Sequence, residues 1–478
     1  MQKNSGISEK SEVGVAGLGA MGSNLALNFE GAGLRVSVFN RPSKSRSSVG
    51  DFLSGRARGK KIAGFENLKD FAESLGRPRK IVLMVKAGAA VGEVLQSLLP
   101  HLSAGDIVVD CGNSDFRDTR ARVAHLEKSG VMFVGAGISG GTEGARHGAS
   151  IMLGGNEKAA SAALELMQKA AAKLGGGGVC CAWLGGGGAG HFAKTVHNSI
   201  EYALMQLIAE TYQIMRRCGK FSNAEIADVF GEFGGGRLGG YLVEITEKIL
   251  RFQEGGRYVL DGILDCAGQK GSGVLGAAEA LENSAPFSCA AEAVFARFIS
   301  ADIEARGQGA RIFGSECNFN MPAFSMKKVL EKALFAANII AYSQGFGLLR
   351  AASERHSWNF DLGEIARIWR GGCIIRARIL EDISAAFSKD SSLKNLMFCE
   401  YFAESLKACA NSLREVVSLA AQGGIPAPAF SAALAHFDLV RQAQSPANLI
   451  QAQRDFFGAH SYEKIGRPRG EFYHSDWQ

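Results

Sequence analysis

No run of about 18 apolar residues occurs in these 478 residues, so a membrane-spanning helix is not expected. Residues 1–12 are polar and mixed in charge, without the apolar centre of a secretory signal, and read as a frayed lead-in. Zinc-type pairs of CxxC motifs are missing too. The ten cysteines, with Cys180 and Cys181 adjacent, read as buried or free thiols suited to a reducing cytoplasm, and no metal site is expected. Blocks of one charge sign are equally scarce. Lys plus Arg (53) exceed Asp plus Glu (47) by only 6, and the basic residues are dispersed, which gives little support to a nucleic-acid or membrane partner while suiting small anions. Core material is plentiful: 46% hydrophobic residues over this length suit two or three globular domains.

Near the N-terminus, Val13-Gly14-Val15-Ala16 reads as a buried strand running into Gly17-Leu18-Gly19-Ala20-Met21-Gly22 and then a helix-compatible segment. In that strand-loop-helix setting the three glycines allow a tight turn, close approach of a pyrophosphate to the backbone, and helix–strand packing, while the helix N-terminus supplies N–H donors. The next strand ends at Asn40-Arg41, where an NAD site would usually place a carboxylate for the ribose hydroxyls. Arg41, with Lys44 and Arg46 nearby, instead suits a 2′-phosphate and therefore NADP. Further strands at 81–85, 107–110 and 131–135 alternate with helix-length segments. The expectation is an N-terminal Rossmann-type, doubly wound parallel sheet. Its ligand-facing loops would include Val85-Lys86-Ala87-Gly88, the turn holding Asn113, and Gly137-Ile138-Ser139-Gly140-Gly141, which could wrap N–H groups around an anion.

The segment 190–202 places Lys194, His197, Asn198 and Glu201 at intervals of three, four and seven, hence on one helical face. A lysine base, a carboxyl acid and two hydrogen-bonding side chains can together run proton transfer on a polar substrate. Beyond about residue 186 the apolar period becomes helical, as in 203–217, 325–350 and 400–421. The second domain is expected to be all-α. Its halves look duplicated, because a long helix leads to Glu225-Ile226-Ala227 and then 241–245, while a later one leads to Glu364-Ile365-Ala366 and then 379–383.

These motifs, with Ala267-Gly268-Gln269-Lys270-Gly271-Ser272-Gly273, Ala293-Val294-Phe295-Ala296-Arg297, the run from Trp369 to Arg376, and the run from Asn448 to His460, resemble the 6-phosphogluconate dehydrogenase family nearly end to end. The resemblance implies an α/β plus all-α architecture: an NADP-binding domain over 1–186, a helical substrate and dimerisation domain over 187–442, and a tail over 443–478 that reaches a partner subunit. It implies oxidative decarboxylation of 6-phosphogluconate to ribulose 5-phosphate with NADP and no metal, in the pentose phosphate pathway. Lys194 and Glu201 would be the catalytic base and acid. Asn113, Ser139, Gly140, Gly141, His197 and Asn198 would hold the sugar acid, and Tyr202, Lys270, Arg297, Arg454 and His460 its phosphate. Gly17 to Gly22, Asn40, Arg41, Val85, Lys86, Ala87 and Asn113 would hold the cofactor. Pro42 departs from a hydroxyl residue often found in that family, and glycine runs at 175–178, 185–188 and 234–236 are expected to loosen their connections. A related β-hydroxyacid dehydrogenase acting on a small unphosphorylated acid would share the nucleotide loop and lysine without needing the second helical half. A non-catalytic NADP sensor could dispense with Lys194 or Glu201, and both are present.

Overall fold

The computed structural model describes residues 9–42, 47–317 and 323–477. Eight strands build one sheet: β1 (Val13–Ala16), β2 (Val36–Phe39), β3 (Ile62–Phe65), β4 (Lys80–Leu83), β5 (Ile107–Asp110), β6 (Met132–Ser139), β7 (Ser150–Gly155) and β8 (Cys181–Gly186). Their order is β3-β2-β1-β4-β5-β6-β7-β8. The first six run parallel, as the alternation of short apolar strands and helices dictates. β7 then pairs antiparallel with β6, Ser139 opposite Ser150, and β8 follows β7 in parallel. The last two strands are therefore reversed relative to the rest. That pairing also extends β6 through Ser139, so residues 137–139 form a strand end and only Gly140 and Gly141 turn, both at positive φ. Helices α1 (Ala20–Gly31), α2 (Ser48–Ser54), α3 (Leu68–Glu73), α4 (Ala89–Leu98), α5 (Phe116–Glu127), α6 (Gly141–His147) and α7 (Ala160–Gln168) accompany the sheet.

The helical part comprises α8 (Ala189–Arg217), α9 (Asn223–Gly235), α10 (Tyr241–Arg251), α11 (Ser272–Glu282), α12 (Ser288–Ala301), α13 (Ile303–Phe313), α14 (Ala323–His356), α15 (Leu362–Ile368), α16 (Ile379–Lys389), α17 (Glu400–Gln422), α18 (Pro428–Val440) and α19 (Ala447–Gly458). A two-residue hairpin, Gln253–Glu254 with Arg257–Tyr258, is its departure from all-α. The middle of α14 is buried on every side, as a helix through the centre of a bundle must be, and its Phe335, Tyr342 and Phe346 share one core with Trp369. The two halves repeat in element order. Ser222 and Glu225 form a capping box at α9, Asp361 accepts from the Glu364 N–H at α15, and α9 and α15 pack on α10 and α16 respectively. No helix among the described residues is long and apolar enough to cross a membrane.

One glycine run packs more tightly than its composition suggests. A Cβ at Gly188 would lie 2.3 Å from the Phe116 carbonyl oxygen, so the turn into α8 is a close contact between α5 and α8. The carbonyls of Gly235 and Gly236 both accept from Arg378 Nη1 at 2.9 Å, which ties down the end of α9.

Candidate active site

The nucleotide loop lies where the strand order reverses between β1 and β4, the crevice that binds ligands in open α/β sheets. Gly17 has φ +104°, and a Cβ there would lie 2.4 Å from the Met84 carbonyl oxygen; one on Gly22 would lie 1.9 Å from the Gly17 oxygen. Gly19 instead faces open space and caps α1 without a side-chain hydrogen bond, so the N–H groups of the first turn, at Ala20 and Met21, point outward with the positive end of the helix dipole. A dinucleotide pyrophosphate fits this cradle.

Asn40 holds the loop from the end of β2, its Oδ1 accepting from the Leu18 N–H at 3.0 Å. Arg41 is exposed and ion-paired to Glu93 of α4 at 3.1 Å. Lys44 and Arg46 fall outside the described residues. Val85, Lys86 and Ala87 follow β4 beside Gly17, with Lys86 exposed. Asn113 is exposed on the turn after β5. That turn is organised by buried Asp110, which accepts from the Gly112 N–H at 3.0 Å and the Ser114 hydroxyl at 2.6 Å.

α8 reaches the sheet because both surfaces lack side chains at the contact. A Cβ on Gly137 of β6 would lie 2.3 Å from Lys194 Cβ, and one on Gly190 would lie 2.4 Å from the Met152 oxygen. The close approach buries Lys194, whose Nζ donates to Asn198 Oδ1 at 2.7 Å and lies 3.4 Å from His197 Nδ1. His197 Nε2 is 3.0 Å from Ser139 Oγ, which also accepts from the Ile374 N–H at 3.4 Å. Trp369 meets the His197 ring edge-on at 5.4 Å, and the buried Cys373 thiol donates to the Trp369 carbonyl at 2.9 Å. The backbone of Gly372 packs against Gly140.

Burial pulls the Lys194 ammonium down to about 8 against the opposing charge of Glu201. Burial likewise lifts the Glu201 carboxyl above its ordinary value, against Lys194 and Arg297. His197 is held well below the usual imidazole range by burial and by Lys194, so it is neutral at physiological pH. One helix thus presents a lysine able to lose its proton and, two turns on, a carboxyl able to keep one.

Beyond Glu201, the Arg297 guanidinium stacks 3.5 Å over the Tyr202 ring and donates to the Gly268 carbonyl at 3.3 Å. Gly268 belongs to the exposed loop that carries Lys270 and leads into α11. This corner is cationic and aromatic. Arg454 and His460 stand apart from it on the exposed tail, Arg454 donating to Gln451 Oε1 at 3.1 Å and His460 packing on Phe457. The sequence motifs cast Gly137 as part of an anion-binding turn, and they give no role to Gly135 under α8, to Gly190 in its first turn, or to the Ile374 N–H, Trp369 and Cys373 behind Ser139. Residue type carries no sign of these roles, which arise from backbone proximity.

A glycine cradle at the switch point, with a buried lysine and a carboxyl on the adjoining helix, defines a dinucleotide-dependent dehydrogenase. Residues 12–185 match the model of the NAD binding domain of 6-phosphogluconate dehydrogenase, and 190–477 match that of the 6-phosphogluconate dehydrogenase C-terminal domain. The chain belongs to the 6-phosphogluconate dehydrogenase family. It is 44% identical over 474 residues to the decarboxylating enzyme of Treponema pallidum, covering 98% of this chain and 96% of that one. It is 45% identical over 475 residues to the NADP(+)-dependent decarboxylating enzyme of Bacillus subtilis, covering 98% and 99%. The fold superposes on Plasmodium falciparum 6-phosphogluconate dehydrogenase, described in apo form and with NADP+ or 6-phosphogluconate, at a TM-score of 0.92 and 37% identity, covering 98% and 100%.

Proposed function

We propose that this chain oxidises and decarboxylates 6-phospho-D-gluconate to D-ribulose 5-phosphate and CO2 with reduction of NADP, the NADPH-forming decarboxylation of the pentose phosphate pathway. The observation that carries this reading is the pair on one face of α8, buried Lys194 brought to about 8 and half-buried Glu201 raised, together with an uncapped glycine cradle. When bound, NADP supplies the acceptor for the C3 hydride. Neutral Lys194 takes the C3 hydroxyl proton, and Asn198 Oδ1 aims its nitrogen. The 3-keto acid then releases CO2 as the C3 carbonyl takes up the electron pair, and the protonated Lys194 donates to the developing enolate oxygen. Glu201, whose carboxyl burial raises above its ordinary value, is the acid that delivers a proton to C1 of the enediol.

Ser139, Gly140 and Gly141 are assigned to the substrate carboxylate end, with Asn113, His197 and Asn198 lining the polyol and nicotinamide. Gly17, Leu18, Gly19, Ala20, Met21 and Gly22 would hold the pyrophosphate, Arg41 the 2′-phosphate after leaving Glu93, and Asn40, Val85, Lys86 and Ala87 the adenosine and nicotinamide sides. Tyr202, Lys270 and Arg297 take the substrate phosphate, completed by the partner subunit's Arg454 and the partner subunit's His460.

A homodimer is favoured by two exposed apolar surfaces. The tail exposes Leu449, Ile450, Phe456, Phe457 and Phe472, and the helix carrying Arg297 exposes Phe295, Phe298 and Ile299. We assign 1–186 to the cofactor domain, 187–442 to the helical substrate domain and 443–478 to the tail. None of the ten cysteines is in a disulfide, which suits a reducing cytoplasm. Reduction of NADP followed at 340 nm tests the proposal. Turnover with 6-phosphogluconate and NADP should far exceed that with NAD or an unphosphorylated hydroxy acid; turnover with the small acid alone would move the chain to the related dehydrogenases.

A further inference from the structure

α19 does not pack broadly against any other element of the described chain, yet Asp455 within it is fully buried while Arg454, Phe456 and Phe457 beside it are exposed. Four donors from the following segment converge on this carboxylate. Oδ1 accepts from the Ser461 N–H at 2.8 Å and lies 2.9 Å from His474 Nδ1, while Oδ2 accepts from the Trp477 indole at 2.8 Å and the Ser475 N–H at 3.2 Å. Tyr462 and Tyr473 bridge through their backbones at 2.8 Å, closing the segment back on the helix.

The same network reaches the two residues assigned to the substrate phosphate. Arg454 donates to Gln451, Gln451 donates to the Ser461 carbonyl, and the Ser461 N–H donates to Asp455. His460 immediately precedes Ser461, and its ring lies over Gly458, where a Cβ would come within 2.7 Å of Nε2, with Phe457 against its edge. Arg454 is thus linked to this carboxylate through Gln451 and Ser461, and His460 through its peptide bond to Ser461.

We propose that Asp455 is a positioning residue for substrate binding: it folds the tail on itself so that Arg454 and His460 arrive at the neighbouring subunit as a preassembled phosphate clamp. The proposal rests on the shared-site reading above. Preassembly matters because ordering a free tail at the moment of binding would cost conformational entropy that weakens affinity.

The test uses full-length Asp455→Ala and Asp455→Asn, the second keeping the side-chain shape and one acceptor oxygen, with Arg454→Ala in parallel. KM and kcat are measured for 6-phosphogluconate, kcat/KM for unphosphorylated gluconate, and KM for NADP. We expect Asp455→Ala to raise the 6-phosphogluconate KM by about tenfold or more with kcat nearly unchanged, Asp455→Asn to do so less, and gluconate and NADP constants to hold, since the clamp touches only the phosphate. An unchanged KM in both Asp455 variants while Arg454→Ala raises it would overturn the positioning role alone. Equal losses with gluconate and 6-phosphogluconate would make Asp455 merely structural and also overturn it. If Arg454→Ala leaves KM unchanged, the shared-site reading fails and the proposal falls with it.

Discussion

Gly137→Ala addresses the contact that seats the base. The added Cβ would lie 2.3 Å from Lys194 Cβ, 2.9 Å from Lys194 Cγ and 3.0 Å from the Gly190 carbonyl oxygen. Carbon atoms rest at roughly 3.5 Å or more, so α8 and β6 must part by about 1.2 Å at this point. Rotation of a side chain cannot relieve the clash, because Cβ of Lys194 is fixed to the helix backbone. Overpacking of this kind destabilises by about 1–3 kcal/mol. A displacement of about 1 Å at a reacting group costs on the order of 100-fold in rate, equivalent to about 2.7 kcal/mol of barrier. Steady-state NADPH formation should therefore show kcat reduced by about two decades, while NADP affinity, governed by the Gly17 to Gly22 cradle between β1 and α1, stays near that of the parent. The assay is paired with NADP titration by fluorescence and a thermal melt. A folded Gly137→Ala protein with kcat within a few-fold of the parent would show that helix–sheet approach does not set the position of Lys194.

Lys194 must be neutral to act, and its pKa is lowered to about 8. With Glu201 also required in its protonated form, log kcat/KM should trace a bell in pH, rising by about one unit per pH unit on the acid side and falling likewise on the alkaline side, and Lys194→Arg, charged at every accessible pH, should lose on the order of a hundred-fold or more. Glu93→Gln removes the carboxylate that occupies Arg41, so KM for NADP should fall, by no more than about fivefold because the pair is exposed, with KM for NAD unmoved. A rise in the NADP KM would dissociate Arg41 from the 2′-phosphate. Glu210, buried on α8, accepts from the Ala429 and Phe430 N–H groups at 2.8 and 3.0 Å at the start of α18. Glu210→Ala leaves two buried donors unpaired at about 1–3 kcal/mol each, so the melting temperature should drop by several degrees.

The sequence pattern made the periodic parts legible. The apolar strands β1, β2, β4, β5 and β6 and the long helices α8, α14 and α17 announce themselves through local periodicity, and intervals of three, four and seven suffice to align Lys194, His197, Asn198 and Glu201. Local pattern fails where a contact is made at long range. β3 is a four-residue, half-buried edge strand, and the reversal of β7 depends on Ser139 meeting Ser150. Ile374 bonds Ser139 across 235 positions, and Arg41 finds Glu93 across 52. The glycines beneath α8 look like turn formers in sequence, whereas Gly137 lies within the end of β6 and is required by the approach of Lys194. In the tail, the string from Arg454 to His460 is readable as a motif, but the closure of residues 461–477 onto Asp455 is not.

The central claim is that one face of α8 couples hydride loss at C3 to release of C1. It is tested by giving the protein 6-phosphogluconate labelled with 13C at C1, together with NADP, and following labelled CO2 by NMR alongside NADPH absorbance. The account predicts labelled CO2 and NADPH in equal amounts from the parent protein, and neither from Lys194→Met with NADP binding preserved. NADPH without labelled CO2, or undiminished turnover by Lys194→Met, would contradict it.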